Sequence, residues 1–249
     1  MSKYKLLIAD LDGTLTPELG MPPRDFTFSS KLTKSVNEAL NHISVSLCTG
    51  RDKDIALKAA RLISLKDPQI IEGGAKIIDI KGNILWAQYI DEETCSGVIN
   101  ILKKVKRDFA VVSDGVEFFN ELPNDLLHIT AILLFDLNAE ELTSLQQEVS
   151  EFKDLALALN TDRAATTVYI TDKNGTKTSG VKKLREILGV KKEEVIGVGD
   201  RNNDKPLLLE SGLKVAMGNA DEELKEIADF IAPTVEEDGV VAVIEKFVL

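Results

Sequence analysis

Two aspartates, Asp10 and Asp12, follow a short apolar segment near the start of the chain. The segment, Leu6–Ala9, has the length and composition of a strand that is buried on both faces of a parallel sheet. Gly13 permits a sharp turn directly after the acids. Both carboxylates are therefore expected at the carboxyl end of a strand, which is where open α/β sheets bind ligands.

Two carboxylates at one strand end repel each other and lose hydration, so they need a cation or a shared proton. Mg²⁺ suits such a pair, because it binds carboxylate and carbonyl oxygens and usually keeps water and substrate phosphate as further ligands. A hydrated D-x-D-G turn without a ligand is the alternative, since Asp and Gly both favour turns. The rest of the sequence decides between these two interpretations.

A second predicted strand, residues 43–47, also ends in polar residues. It leads into Thr49, Gly50 and Arg51, a hydroxyl, a glycine and a cation. The backbone N–H groups of this turn and of the helix after it can receive an anion. All three residues are therefore candidate phosphate-binding residues. For Arg51 the alternative is a residue at the start of the helix that pairs with a neighbouring acid, and both interpretations stay open.

A third predicted strand, residues 194–198, leads into Asp200, Asn203 and Asp204. Lys177 begins a predicted helix shortly before this strand. Because the carboxyl ends of strands in a doubly wound sheet can converge on one crevice, these groups are expected to lie near the first pair of acids. Carboxylates would hold Mg²⁺, while the hydroxyl and the lysine would hold phosphate oxygens. The sequence thus predicts a metal and phosphate site built from Asp10, Asp12, Thr49, Lys177, Asp200 and Asp204.

Several other kinds of site are not indicated. There is no G-x-x-x-x-G-K-[ST] loop for nucleoside triphosphates and no G-x-G-x-x-G motif for dinucleotides. The two histidines, His42 and His128, form no metal-binding pattern and sit in no hydrolase triad motif.

Composition limits the class of protein and its partners. The 249 residues carry a formal net charge of −11, and the pI is about 4.8. This charge argues against a nucleic-acid-binding or anionic-membrane-binding surface, but it leaves room for a small phosphorylated metabolite bound by a local metal and lysine. Two distant cysteines, no apolar span and no signal-peptide pattern predict a cytoplasmic protein. A monomer or a small homo-oligomer is expected.

The pattern of elements predicts an α/β protein with a second domain inserted into it. Residues 1–84 and 174–249 alternate strands and helices, which is typical of a parallel sheet flanked by helices. Residues 85–173 instead cluster strands with few helices, which is typical of an α+β domain.

Four motifs in this order resemble the haloacid dehalogenase superfamily of phosphatases. They are D-L-D-G-T-L at 10–15, L-C-T-G-R at 47–51, Lys177, and G-D-R-N-N-D at 199–204. The segments A-M-G-N-A at 216–220, L-K-E-I-A-D at 224–229 and E-D-G-V at 237–240 are similar to its Cof-type branch. The resemblance implies a Rossmann-like core with a C2-type cap at 85–173, and this short cap is most similar to those of archaeal phosphoglycolate phosphatases.

The resemblance also implies roles for the acids. Asp10 would be the nucleophile that forms an aspartyl-phosphate and would also bind Mg²⁺. Asp12 would protonate the leaving alcohol and then deprotonate the attacking water, while its backbone carbonyl binds the metal. Asp200 would bind Mg²⁺ and Asp204 would support the metal site, with Asn203 beside it as a further candidate phosphate ligand.

The phosphate-binding roles follow from the same resemblance. Thr49 and the Gly50 N–H would bind phosphoryl oxygens, and Lys177 would neutralise charge on the nucleophile and the phosphate. A carboxylate can carry a phosphoryl group covalently, and transfer depends mainly on positioning and on neutralised charge. The implied reaction is hydrolysis of a small organic phosphate such as phosphoglycolate or a sugar phosphate.

The sequence departs from the family pattern in two places. Gly73-Gly74-Ala75 stands where the branch usually has Asn-Gly-Ala. Arg201 lies in the segment 199–204, here called the metal loop, at a position that usually holds a small residue. Arg201 could contact an acidic substrate or pair with a neighbouring acid, and both possibilities stay open.

Two alternative functions and the choice of substrate also stay open. A phosphomutase or phosphotransferase would use the same residues, and a binding protein could keep the same fold without catalysis. Substrate specificity is expected in the cap, where the polar loop candidates are Ser113, Asp114, Glu117, Asn120, Asp162, Arg163 and Lys173.

Overall fold

The computed structural model describes residues 2–19, 25–162 and 165–249. The segment after Leu15 contains three prolines, which predicts a loop, and part of it lies outside these ranges, as does the candidate residue Arg163. The chain divides into two compact units. The first unit comprises Met1–Trp86 with Lys177–Leu249, and the second comprises Ala87–Thr176.

The elements are named in chain order. The strands are β1 (Leu6–Ala9), β2 (Ser44–Leu47), β3 (Gln69–Ile71), β4 (Lys76–Ile78), β5 (Ile84–Ala87), β6 (Phe109–Ser113), β7 (Val116–Phe119), β8 (Ile129–Phe135), β9 (Leu155–Asp162), β10 (Ala165–Asp172), β11 (Val195–Gly199), β12 (Leu213–Ala216) and β13 (Phe230–Ile231). The helices are α1 (Ser30–Ala39), α2 (Lys53–Leu62), α3 (Glu92–Val105), α4 (Ala139–Ser150), α5 (Lys177–Leu188), α6 (Lys205–Leu209), α7 (Glu222–Lys225) and α8 (Gly239–Phe247).

A parallel five-stranded sheet forms the centre of the first unit, in the order β13-β12-β11-β1-β2. Ala9 pairs in register with Leu47 of β2 and with Val198 of β11. The three strands therefore end side by side, which confirms the predicted α/β class. This register brings the residues after β1, β2 and β11 to one edge of the sheet.

Burial explains why these apolar segments form the central strands. Every residue of β1 is buried, and so is every residue of β11. Full burial of a Leu, Ile or Val side chain stabilises a fold by about 1.5–3 kcal/mol.

Side-chain caps fix where the neighbouring helices begin. Ser29 Oγ accepts the Leu32 N–H of α1 at 2.9 Å, and Asp52 accepts the Asp54 and Ile55 N–H groups of α2.

A smaller three-stranded sheet, in the order β3-β4-β5, follows α2. Alternating apolar residues on both sides of Lys81-Gly82-Asn83 predict a hairpin, and the pairing of β4 with β5 confirms it. Asp79 shapes its turn, because one carboxylate oxygen accepts the backbone N–H groups of Lys81 and Asn83.

The second unit contains a five-stranded antiparallel sheet in the order β7-β6-β8-β10-β9. One face packs against α3 and α4 through a core that includes Val111, Ile132 and Val168. The opposite face carries a separate small cluster of Ala110, Val112, Ala131 and Leu133. Alternation of side chains between the two faces is the expected pattern for such a sheet.

Strand β7 was not predicted from the sequence. It has only four residues, lies at the edge of the sheet and leaves Val116 and Phe119 more than half exposed. A strand of this kind lacks both the buried run and the alternation on which prediction depends. Helix α7 is also shorter than the sequence pattern predicts. The pattern predicts a helix over 221–228, and only Glu222–Lys225 is helical.

No helix among the described residues is long and apolar enough to cross a membrane. Both cysteines are buried free thiols.

Candidate active site at the carboxyl edge of the central sheet

Three aspartates meet at the edge of the sheet where β1 and β11 end. Asp10 directly follows β1, Asp200 follows β11, and Asp204 ends the short 3-10 turn Asn202–Asp204. Each offers a carboxylate oxygen, and these oxygens lie within 4.8 Å of one another. All three side chains are buried, Asp204 completely. Buried carboxylates this close require positive charge or protons.

Lys177 supplies one positive charge to this cluster. It is the first residue of α5 and is itself buried. Its Nζ donates to Asp10 Oδ1 at 2.8 Å and to Asp204 Oδ1 at 2.6 Å. One lysine does not balance three carboxylates, so the negative charge that remains in the cluster suits a bound cation. The donor set, buried carboxylate oxygens alone, is the kind that Mg²⁺ prefers.

The pKa values of these groups reflect their burial and their mutual repulsion. Burial, and then the Asp204 carboxylate, hold the pKa of Asp10 well above its ordinary value. The same two causes raise the pKa of Asp200 to about 7. Burial alone would lower the pKa of Lys177, but the carboxylates of Asp10 and Asp204 raise it well above its ordinary value. The lysine therefore stays charged, while the metal-free acids compete for protons.

Hydrogen bonds fix the orientation of two of the acids. Thr14 Oγ1 donates to Asp200 Oδ1 at 2.8 Å. Asp204 Oδ2 accepts the backbone N–H groups of Asp200 at 3.1 Å and Arg201 at 3.2 Å. Since the other oxygen of Asp204 binds Lys177, both oxygens of Asp204 are already engaged within the protein.

Two glycines allow the loops to approach the acids this closely. A Cβ on Gly13 would lie 2.1 Å from Asp200 Oδ2, and the backbone there has a φ of +77°. A Cβ on Gly199 would lie 2.5 Å from the Asp204 Cβ. Any larger residue at either position would displace a carboxylate of the cluster.

Asp12 lies outside the acid cluster in an ion pair with Arg51. Arg51 Nη2 donates to Asp12 Oδ1 at 2.7 Å, and Nε donates to Oδ2 at 2.9 Å. The Leu19 N–H also donates to Oδ1, at 3.1 Å. The guanidinium that the sequence offered as a phosphate ligand therefore contacts the second aspartate of the first motif.

Thr49 occupies the end of β2 beside a turn of two glycines. Its backbone N–H donates to Ile70 O at 3.0 Å, its carbonyl accepts the Gly73 N–H at 3.1 Å, and its Oγ1 accepts the Arg51 N–H at 3.1 Å. Gly73 has a φ of +67°, a conformation that Gly and Asn adopt most readily. Glycine at position 73 therefore adopts this conformation without strain.

The remaining predicted residues lie at the periphery. Gly50 is exposed, and a Cβ there would meet open space. Asn203 is half-buried within the 3-10 turn that ends at Asp204. Both stay predicted phosphate-binding residues.

Several of the polar loop candidates in the second unit have partners within that unit. Asp114 lies 3.1 Å from His128 Nδ1, Lys173 is paired with Asp154, and Asn120 bonds both Phe109 N–H and Asp108. These contacts favour structural roles over substrate recognition for the three residues.

The structure also shows site residues that sequence reasoning missed. Thr14 orients Asp200, and Asn219 Nδ2 donates to Gly13 O at 2.8 Å while its Oδ1 accepts the Val235 N–H. Cys48, by contrast, is the small buried residue that the sequence predicts, and burial above all raises the pKa of its thiol to about 12. Thr14 could have been inferred from its place directly after D-x-D-G. The partners of Asn219 depend on tertiary structure.

Comparison with known proteins identifies relatives over the whole chain. The family model for haloacid dehalogenase-like hydrolases matches residues 7–125 and 116–244. A 5-amino-6-(5-phospho-D-ribitylamino)uracil phosphatase of Bacillus subtilis is 27% identical over 98% of this chain and 96% of its own. A phosphoglycolate phosphatase of Methanosarcina acetivorans is 28% identical over the same shares. A haloacid dehalogenase-like hydrolase structure from B. subtilis shares the fold, with a TM-score of 0.83 and 22% identity over 97% of this chain and 99% of that one.

Proposed function

The chain belongs to the haloacid dehalogenase-like hydrolase family, and we propose that it is a Mg²⁺-dependent phosphatase that hydrolyses a small phosphate monoester through an aspartyl-phosphate on Asp10. The main support for this proposal is the pair of hydrogen bonds that Lys177 donates to Asp10 and Asp204. They lie inside a buried cluster that also contains Asp200. A nucleophilic carboxylate beside a fixed cation and a metal-binding acid is what phosphoryl transfer requires.

Asp10 and Asp200 are the residues best suited to hold Mg²⁺, because both oxygens of Asp204 already accept hydrogen bonds. Asp204 would support them by fixing Lys177 and the backbone of the metal loop. When bound, the ion would supply positive charge for the phosphoryl oxygens and for the nucleophile.

The reaction would proceed in two displacements at phosphorus. In the first, an Asp10 carboxylate oxygen bonds to phosphorus, the ester P–O bond breaks, and Asp12 gives its proton to the departing alkoxide oxygen. In the second, Asp12 takes a proton from water, the water oxygen bonds to phosphorus, and the acyl-phosphate P–O bond breaks. Inorganic phosphate leaves and Asp10 is restored. Acid–base help of this kind contributes about 10²–10⁴-fold to a rate.

The other residues would position the phosphoryl group and Asp12, and would neutralise negative charge. Lys177 would keep its charge throughout, because Asp10 and Asp204 raise its pKa. Thr49 and the Gly50 N–H would bind phosphoryl oxygens at the end of β2. Arg51 would orient Asp12, because Nη2 and Nε of the guanidinium each donate to a different oxygen of its carboxylate.

The substrate is proposed to be phosphoglycolate or a sugar phosphate. Relatives that match nearly the whole chain are named as phosphatases of phosphoglycolate and of a phosphoribitylaminouracil, which are both small phosphate monoesters. The second unit, Ala87–Thr176, has its own core and is proposed to be the cap that selects among them.

Phosphate release from a panel of such esters tests the proposal, measured with Mg²⁺ and with EDTA for the wild type and for Asp10→Asn. The proposal requires release that depends on metal and is lost in the variant. Isomerised substrate without free phosphate would instead indicate a mutase, and metal binding without any turnover would indicate a binding protein.

A further inference from the structure

The metal loop carries an arginine, Arg201, between two acids of the cluster. Its Nη2 donates to Glu18 Oε1 at 2.6 Å, and its Nε lies 3.6 Å from Asp200 Oδ2. Its backbone N–H donates to Asp204 Oδ2. The guanidinium is about three-quarters buried, whereas Glu18 is half exposed. A fixed positive charge thus stands beside an acid proposed to bind a cation.

Glu18, the residue bonded to Nη2 of Arg201, belongs to the loop that follows Asp12. Glu18 directly precedes Leu19, whose N–H donates to Asp12 Oδ1 at 3.1 Å. The same loop is tightened by the Gly13 N–H, which donates to Thr16 O at 2.7 Å. The Glu18–Arg201 pair therefore joins the loop that holds Asp12 to the loop that holds Asp200.

We propose that Arg201 is a positioning residue that ties the Asp12 loop to the metal loop through Glu18, and that its guanidinium weakens the binding of a divalent cation at Asp200. This inference rests on the proposed function. Asp200 Oδ1 already accepts the Thr14 hydroxyl, so the oxygen nearer to Arg201 is the more available one for a cation. A cation arriving there is repelled by the arginine, and Glu18 reduces that repulsion by balancing the charge.

The proposal makes opposite predictions for the two partners. Arg201→Gln removes the repelling charge, so the Kd for Mg²⁺ should fall by about two- to tenfold. Glu18→Gln removes the carboxylate bonded to Nη2, so less of the arginine charge is offset and the Kd should rise by a similar factor. Both variants break the connection between the loops, so both should lower kcat at saturating Mg²⁺ by about tenfold.

The experiment measures Mg²⁺ binding by calorimetry and phosphate release in parallel, for both single variants and for the double variant. In the double variant the shifts in Kd should largely cancel, while kcat should be no lower than in either single variant. Glu186→Gln is the matched control, because Glu186 pairs with Lys183 on an exposed face of α5, and it should change neither quantity. Thermal unfolding verifies that each variant is folded.

Two results would overturn the inference. Shifts of Kd in the same direction would show that the arginine charge does not act on the cation. An unchanged kcat in both single variants would show that the pair positions nothing. If the wild type released no phosphate, the proposed function and the positioning role would fall together, whereas opposite shifts in Kd would still establish the effect of the charge.

Discussion

One side chain, Lys177, connects the acid that would attack phosphorus to the acid that anchors the metal loop. Lys177→Met should lower phosphatase activity by about 10²–10³-fold, because the charge that neutralises Asp10 and the phosphate is lost. It should also destabilise the protein by about 3–5 kcal/mol, since two buried carboxylates lose their partner. Activity assays and urea unfolding measure the two effects.

Lys182→Met is a suitable control for that variant. Lys182 is exposed on the same helix and lies 3.5 Å from Glu210. Its loss should change stability by less than about 1 kcal/mol and leave activity unchanged. Activity of Lys177→Met within a few-fold of the wild type would remove the lysine from the proposed mechanism.

The pKa of Asp200 predicts how the metal-free protein responds to pH. Burial and Asp204 raise this pKa from 3.8 to about 7 in the folded state. Between these values the folded state holds more protons than the unfolded state, so Asp200 makes the free energy of unfolding fall as pH rises from about 4 to about 7. Asp200→Asn should therefore be more stable than the wild type at pH 8 without metal, by about 2–4 kcal/mol, and nearly equal to it at pH 4.

Denaturant unfolding at the two pH values, with and without Mg²⁺, measures this difference. The Asn amide oxygen can still accept the Thr14 hydroxyl, so the wild type and the variant both keep this hydrogen bond. Mg²⁺ should stabilise the wild type and leave Asp200→Asn almost unaffected. If the variant were less stable than the wild type at pH 8 without metal, the raised pKa of Asp200 in the folded state would be contradicted.

At the scale of elements, the close approach of two loops depends on a glycine. Gly13→Ala adds a Cβ 2.1 Å from Asp200 Oδ2 at a φ of +77°, so it should displace Asp200 and abolish Mg²⁺ binding. Gly189→Ala is matched in backbone conformation, with a φ of +66° and open space around the new Cβ. It should cost about 1–2 kcal/mol of stability and leave Mg²⁺ binding intact.

Calorimetric titration with Mg²⁺ and thermal unfolding of both variants provide the measurement. Equal Mg²⁺ binding in the two variants would mean that backbone conformation, and not the contact with Asp200, is what Gly13 provides.

The sequence predicted the strands and helices that local patterns of apolar residues specify. Buried runs predicted β1, β2 and β11, and the parallel arrangement then placed Asp10, Thr49 and Asp200 at one edge of the sheet. Contacts between distant loops were not predictable in the same way. The sequence allowed Arg51 to pair with a neighbouring acid, but only the structure identifies that acid as Asp12 and the partner of Arg201 Nη2 as Glu18.

For the whole molecule, the two units differ in how well the sequence describes them. The first unit carries the motifs, and its acids gather through sheet register. The second unit carries no motif, and three of its polar loop candidates are bonded within the unit. Local sequence patterns therefore indicate the type of reaction better than they indicate the substrate.

The central claim is that Asp10 becomes phosphorylated, and the most direct test is to trap that species. Asp12→Asn should slow the second displacement, because the base that activates water is lost. Incubation of this variant with Mg²⁺ and the best substrate, followed by acid quenching and peptide mass spectrometry, should show one phosphoryl group on Asp10. Phosphate release by the wild type without any phosphorylated peptide, in the variant or in rapidly quenched wild type, would contradict the covalent mechanism.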